Sequence, residues 1–253
     1  MLIHGGGAFG AYWSSLIAQL SNYKIFAVDR PGFGLTKPIL SNKKTIRKDA
    51  VNFIGSVIDG LKIEKATLIA NSMGSLWTFW YALDNPSKVD KMIHIGCPAM
   101  LYGSKTPLPM RLLGLPLIGS IINRLNPPTK ETIEGTFSAM GENKALKENP
   151  ILGEAWLTAE RLPNFDKAWR NLLGSILNIN GPYQEALLTP NLLKTVEQPT
   201  LLIWGENETF GSIETGKHAA SIMKNSRFSV VEGGHLPWLV AVWQVVILRL
   251  VWL

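Results

Sequence analysis

Short apolar runs alternate along this chain with stretches that have a helical pattern. We predict strands at residues 2–4, 24–28, 66–70, 91–96, 200–204 and 227–231. Between the second and third runs, apolar residues recur at helical spacing over residues 46–61, and Gly60 can end that helix. Strands that alternate with helices form parallel sheets covered on both faces. The sequence therefore predicts an α/β fold with a mostly parallel sheet flanked by helices.

The region 101–190 has a different character. Prolines break it into short helical pieces and no strand pattern is visible, so we predict an inserted helical cap there, with the core formed by residues 1–100 and 191–253. Within the predicted cap, the apolar stretch 108–122 could line an acyl pocket, face a membrane or pack on the core.

The last stretch, residues 240–253, has almost no polar residues and therefore lacks the polar face of a surface helix. It is shorter than the roughly 20 apolar residues that a membrane span needs. Three interpretations stay open: a helix buried on both sides, an interface helix, or a terminus whose reading frame has departed from the natural one.

Composition limits the classes of partner. The chain has 253 residues and a net charge of +6, but its basic residues are not clustered, so we expect no nucleic acid partner. The single cysteine, Cys97, excludes an intrachain disulfide and a cysteine-based zinc cluster, and we expect it to be structural. No signal peptide is visible, so we predict a cytoplasmic protein without membrane contact. The oligomeric state is left open.

The strongest local signal is the segment 70–75, Ala-Asn-Ser-Met-Gly-Ser, between a predicted strand and a predicted helix. A serine on such a tight turn needs small neighbours, because the backbone is strained and the strand and helix pack closely. The turn also places Ser72 at a helix N-terminus, where free N–H groups favour negative charge. Ser72 is therefore the candidate nucleophile.

A glycine-rich loop, His-Gly-Gly-Gly at residues 4–7, follows the first predicted strand. Such a loop lets backbone amides approach an oxyanion, and we predict an oxyanion hole formed by the amides of Met73 and Gly6, with Gly7 as the alternative to Gly6. A phosphate-binding loop is the less favoured interpretation, since no Lys-Ser or Lys-Thr pair follows the glycines.

A serine nucleophile needs a base, and four histidines are available. His4 belongs to the glycine loop, and His94 lies in an apolar strand where we expect a hydrogen-bonded core residue. We expect His218 to lie on the surface of a helix. His235 follows the last predicted strand, at the sheet edge where α/β sites form, so we choose it as the base.

The third group must be a carboxylate that orients the histidine. No aspartate occurs after Asp166, so an acid on the loop after the strand 200–204 must be a glutamate. We choose Glu208, with Glu206 as the alternative. The resulting chain order of serine, acid and histidine is the one expected for this arrangement.

These segments together resemble the α/β-hydrolase fold superfamily, and most closely its esterases and carbon–carbon bond hydrolases. The matching text is LIHGGG, VDRPGFGLT, ANSMGS, LLIWGENE and EGGHLPW. The resemblance implies that the cap shapes the substrate pockets, and the Asn-Ser-Met-Gly text resembles enzymes that cleave ring-fission products.

The chain departs from the family pattern in two places. Alanine replaces the first glycine of the usual nucleophile motif. Members usually carry strands before the glycine loop, whereas this chain begins within that strand, so we expect an unpaired sheet edge and suspect that the chain is altered at its ends.

The resulting prediction is a serine hydrolase that cleaves a carboxylic ester of a small or medium apolar substrate through an acyl-enzyme, without a metal or an organic cofactor. Ser72 argues against dehalogenase or epoxide hydrolase chemistry, which uses aspartate at that position. Two alternatives stay open. One is a carbon–carbon bond hydrolase acting on a ketone substrate of the meta-cleavage type. The other is a truncated relative that only binds a ligand.

Overall fold

A computed structural model describes residues 1–245 of the chain. The strands are β1 (Leu2–Ile3), β2 (Ala27–Val28), β3 (Ala66–Ala70), β4 (Val89–Ile95), β5 (Leu177–Asn178), β6 (Gly181–Pro182), β7 (Thr200–Gly205) and β8 (Ser226–Val231). The helices are α1 (Ser14–Ala18), α2 (Ile46–Gly60), α3 (Met73–Asp84), α4 (Leu108–Leu113), α5 (Pro116–Leu125), α6 (Lys130–Ala139), α7 (Asn143–Glu148), α8 (Pro150–Glu160), α9 (Phe165–Ile176), α10 (Pro190–Lys194) and α11 (Ile213–Ile222). Short 3₁₀ helices span Gly10–Trp13, Pro86–Lys88, Gln184–Ala186 and Pro237–Leu239.

Six strands form one sheet in the order β2-β1-β3-β4-β7-β8, and every neighbouring pair is parallel. The predicted α/β fold is therefore confirmed. The first strand, β1, is paired on both sides, and β2 forms the sheet edge. We predicted a longer β2 over residues 24–28. It has only two residues in the ladder because β1 offers only Leu2 and Ile3 as partners.

Side chains alternate between the two faces of the sheet and build a core on each. One core contains Ile3, Leu68 and Leu202, and the other contains Leu2, Ile69 and Leu201. The helix α2 contributes Ile46, Ala50, Ile54 and Ile58 to the first core and ends at Gly60, as the spacing predicted. The helix α3 is buried from Met73 through Ala82, so the turn before it is fixed between two packed elements.

The chain between β4 and β7 contains seven α-helices, α4 to α10, and a short antiparallel hairpin of β5 and β6 lies between α9 and α10. The sequence of this region shows no strand pattern. Each of these strands has two residues, which is too short for the period-2 pattern that identifies a strand in a sequence. The positive φ of 129° at Gly181 begins β6 in a conformation that glycine adopts readily.

The apolar stretch 108–122 divides into two parts. Met110 and Leu113 of α4 line a cavity that also borders Ser72, whereas on α5 the side chain of Leu117 is 81% exposed. Of the terminal stretch 240–253, residues 246–253 lie outside the described part of the chain. Within residues 1–245, no helix combines the length and apolar character needed to cross a bilayer.

Candidate active site

The predicted site residues all follow strands of the sheet at its carboxyl edge. Gly6 follows β1, Ser72 follows β3, Glu208 follows β7 and His235 follows β8. A cavity of about 380 Å³ opens there. Besides Gly6, Ser72 and His235, its lining is mainly apolar and aromatic and includes Met73, Met100, Met110, Leu113, Met140, Trp156, Phe165, Trp169, Phe210 and Leu236.

Ser72 lies at the junction of β3 and α3 in a strained conformation, with φ 51° and ψ −115°. Positive φ is costly for a residue with a side chain, so the surroundings must impose it. Gly74 shows how close those surroundings are, because a Cβ atom there would collide with the backbone carbonyls of Ile3 and His4. The sequence signal of small residues around Ser72 therefore corresponds to a close contact between α3 and β1.

The orientation of the Gly6 and Met73 N–H groups follows from the hydrogen bonds that the carbonyl of the preceding residue accepts in each peptide. The carbonyl of Gly5 accepts from Arg30 Nη2 at 2.6 Å and lies 2.8 Å from Nδ1 of His4. In a trans peptide the N–H of the next residue points the opposite way, so the Gly6 amide points away from the buried His4 and Arg30. Likewise the Ser72 carbonyl accepts from the Ala99 amide at 3.0 Å, opposite the Met73 N–H.

Neither the Gly6 nor the Met73 amide donates a hydrogen bond to any residue in the described part of the chain, 1–245. Trp169 packs closely on Gly6, because a Cβ at position 6 would collide with its ring. Two free donors therefore lie beside Ser72 and are available to an anionic oxygen.

His235 and Glu208 form a buried pair. Nδ1 of His235 lies 2.7 Å from Oε2 of Glu208, and the two side chains are 4% and 1% exposed. The same Oε2 accepts from the Cys97 amide at 2.7 Å, and Oε1 accepts from the Phe210 amide at 2.9 Å. Burial raises the pKa of Glu208, but the contact with His235 and the two amides outweigh it and lower the pKa. The structure brings Glu208 to His235, and leaves the alternative Glu206 exposed.

Ser72 and His235 line the same cavity, but the Ser72 hydroxyl makes no hydrogen bond to another residue in the range 1–245. The side chain of Asn71 does connect their two loops: its Nδ2 donates to the carbonyl of His235 at 3.0 Å and to that of Ile95 at 2.7 Å. Asn71 directly precedes Ser72, so the turn that carries the serine also fixes the loop that carries the histidine.

Glu142, between α6 and α7, is a buried acid that the sequence analysis did not identify. Its Oε1 accepts from the amides of Gly234 and Leu236 at 3.0 and 2.6 Å, and the His235 amide donates to the Met140 carbonyl at 2.8 Å. Burial raises the pKa of Glu142 to about 7, and the two amides offset only part of this effect. No sequence pattern pointed to this residue, because its partners are 92 and 94 positions away.

The remaining histidines and the cysteine occupy other environments. His4 is buried in the glycine loop and His218 is exposed on α11, as expected. His94 is buried and stacks on Phe79, but the expectation that it is hydrogen-bonded was wrong, because neither ring nitrogen has a partner in residues 1–245. Burial lowers the pKa of His94 to about 3 and raises that of Cys97 well above its usual value, with Glu208 adding to the second effect.

Among residues 1–245, no group of three or more His, Cys, Asp or Glu side chains is placed to hold a metal ion.

Comparisons with known proteins place these features in context. Residues 1–241 match the family model described as alpha/beta hydrolase fold. A 2-hydroxy-6-oxo-6-phenylhexa-2,4-dienoate hydrolase of Burkholderia cepacia is 23% identical over 235 residues, which is 91% of this chain and 78% of the relative.

Two solved structures share the architecture. The carboxylesterase CesB from Bacillus subtilis superposes with a TM-score of 0.77 at 22% identity, covering 99% of this chain and 81% of that one. The 2-hydroxy-6-oxo-6-phenylhexa-2,4-dienoate hydrolase from Rhodococcus sp. strain RHA1 gives a TM-score of 0.75 at 19% identity, with coverage of 98% and 87%. At these identities the likeness to the solved structures shows the fold alone.

Proposed function

Because the chain belongs to the α/β-hydrolase fold family, we propose that it is a serine hydrolase that cleaves a carboxylic ester of a small or medium apolar substrate. Ser72 is the nucleophile, His235 the general base and Glu208 the residue that orients the histidine. The observation that carries this proposal is the buried contact of 2.7 Å between Glu208 and His235, together with the position of His235 in the lining of the same cavity as Ser72.

The contact with Glu208 determines which imidazole nitrogen is reactive. With Nδ1–H donating to Glu208, the neutral imidazole has its lone pair on Nε2, which can accept the Ser72 proton. In the described residues, 1–245, the Ser72 hydroxyl does not yet donate to Nε2, although both residues line one cavity, and such catalytic bonds are often absent before substrate binds. The ionised state of Glu208 then stabilises the imidazolium that forms.

In the first half of the reaction, the Ser72 oxygen attacks the ester carbonyl while His235 takes its proton. The carbonyl oxygen becomes an oxyanion held by the Gly6 and Met73 amides, and each such donor typically contributes roughly 100-fold or more in rate. His235 then protonates the leaving alcohol. In the second half, a water molecule gives its proton to His235 and attacks the acyl-enzyme, and the proton returns to Ser72 as the acid leaves.

The apolar lining of the cavity supports an ester with apolar groups. Carbon–carbon bond hydrolysis of a vinylogous diketone is the second candidate, and two observations favour it: the curated relative from Burkholderia cepacia is named for that reaction, and the cavity includes Lys105, which could meet a carboxylate. Both candidates use a small-molecule substrate. A cytoplasmic location stays a prediction.

A labelling experiment tests the nucleophile. An active-site-directed fluorophosphonate should label the wild-type protein and lose all labelling in Ser72→Ala. Ser75→Ala is the matched control, because Ser75 lies on the first turn of α3 but is buried away from the cavity lining. It should still be labelled. Labelling that persists in Ser72→Ala, or that is absent from folded wild-type protein, would contradict the proposal.

Two substrates then separate the two reactions. Turnover of p-nitrophenyl butyrate is expected to exceed that of 2-hydroxy-6-oxo-6-phenylhexa-2,4-dienoate, followed by the loss of its visible absorbance. The reverse ratio in labelled, active protein would favour the carbon–carbon bond hydrolase and keep the same three residues in their roles.

A further inference from the structure

Glu160 places a carboxyl group among the apolar residues of the cavity. It is the last residue of α8, and its Oε1 accepts a hydrogen bond from the indole nitrogen of Trp156 at 3.2 Å. In the described range, 1–245, no ion pair joins Glu160 to a cationic side chain. Burial raises the pKa of this carboxyl to about 7, and the bond from Trp156 offsets that effect only in part.

The packing of Trp156 does not require an ionisable group at position 160. An indole N–H needs one acceptor, and a glutamine at position 160 would provide it without burying an ionisable group. The exposed side of α8 shows the contrast: Glu154 lies in solvent, 4.0 Å from Lys130. The carboxyl of Glu160 is therefore an ionisable group without a counter-ion that borders the cavity.

The rest of the lining suits a cation. Five aromatic side chains border the same cavity, Tyr12, Trp156, Phe165, Trp169 and Phe210. The faces of aromatic rings attract cations, and a carboxylate attracts them more strongly where water is excluded. Lys105 also lines the cavity and is cationic. It is exposed in the loop after β4, and the structure of residues 1–245 shows no ion pair between it and Glu160.

We propose that the cavity binds an alkylammonium group of the substrate, with Glu160 as its counter-ion. This inference rests on the proposed hydrolase function, because it names the class of ester, an amino ester, on which the same site acts. The ammonium supplies the missing positive partner, and the aromatic rings contact the alkyl chain. A substrate with a carboxylate near Glu160 is repelled, so the inference also disfavours anionic diketones as substrates.

Three small molecules of equal chain length test the inference: n-pentylammonium, 1-pentanol and pentanoate. Binding is measured by titration calorimetry and by competitive inhibition of p-nitrophenyl butyrate hydrolysis. We expect n-pentylammonium to bind wild-type protein roughly tenfold more tightly than 1-pentanol, since hydrogen bonds to charged groups are the stronger ones. Pentanoate should bind weakest.

Glu160→Gln retains an acceptor for Trp156 and removes the charge, so the preference for ammonium over alcohol should fall to within about twofold. Glu154→Gln removes an exposed charge from the same helix and should retain the full preference. Equal binding of ammonium and alcohol to wild-type protein would overturn the inference, as would an unchanged preference in Glu160→Gln. If Glu160→Gln does not fold, the wild-type comparison decides.

Calorimetry keeps the two proposals separable, because it needs no turnover. Wild-type protein that binds n-pentylammonium selectively but hydrolyses no ester would refute the hydrolase function and leave the cation site in place. Ester hydrolysis without ammonium selectivity would refute only the cation site.

Discussion

Two buried glutamates contact the same loop and differ in the partner that each one meets. Glu208 contacts the imidazole of His235, whereas Glu142 contacts only the backbone amides on either side of it. Burial raises the pKa of both, yet that of Glu208 ends below its usual value and that of Glu142 at about 7. The direct hydrogen bond to the imidazole therefore outweighs the effect of burial on Glu208, whereas Glu142, which lacks that bond, keeps a raised pKa. Glu208 is therefore suited to stabilising positive charge on the imidazole, and Glu142 is suited to holding the loop that carries His235.

The largest effect should come from removing the charge of Glu208. Glu208→Gln keeps an amide-sized side chain at Nδ1 but favours the wrong tautomer of His235, so kcat for p-nitrophenyl butyrate should fall roughly 10⁴-fold, as in comparable triads. Glu206→Gln is the matched control, because Glu206 is exposed two residues away on the same loop. It should retain wild-type kcat within about twofold, as ordinary surface substitutions do. An equal loss of kcat in Glu208→Gln and Glu206→Gln would contradict a specific role for Glu208.

Glu142 should affect stability more than chemistry. Glu142→Ala leaves the buried amides of Gly234 and Leu236 without an acceptor, which should lower the free energy of unfolding by roughly 4 kcal/mol, measured by urea denaturation. A displaced His235 loop should also lower kcat by roughly 10-fold to 100-fold with KM little changed. Glu142→Gln retains the acceptor oxygen and should rescue most of both losses.

A purely structural role for Glu142 makes a different prediction. In that case the Glu142→Ala protein that remains folded at low temperature would have wild-type kcat, and only its unfolding midpoint would differ. The positioning role is therefore tested by kcat in the folded fraction, determined by titration with the fluorophosphonate.

The site residues that can be predicted from the sequence are those marked by local sequence features or by their place after a strand. We predict Ser72 as the nucleophile because a tight turn between a strand and a helix requires consecutive small residues, and the contact of Gly74 with β1 explains that requirement. We predict the roles of Glu208 and His235 from their places after β7 and β8 in chain order, and the structure shows that the two side chains are in contact. The contact of Glu142 with the histidine loop joins positions more than 90 residues apart, and no periodicity encodes it. The unpartnered ring of His94 was missed for the same reason, because hydrogen-bond satisfaction depends on neighbours that are distant in the sequence.

The smallest effect concerns the pH dependence of stability. The folded state holds a proton on Glu142 up to a pKa of about 7, whereas the usual value is 4.5. Between these values the folded state binds more protons than the unfolded state, so the free energy of unfolding should decrease as the pH rises through this range and level off above it. At about 1.4 kcal/mol per pKa unit, the decrease due to Glu142 is on the order of 3 kcal/mol. Glu142→Gln lacks this decrease but keeps Glu208, His235 and Glu160, so the difference between the two urea-denaturation series from pH 4.5 to 8 isolates Glu142. A difference that does not change with pH would mean that the carboxyl is ionised throughout, and the contrast with Glu208 would then disappear.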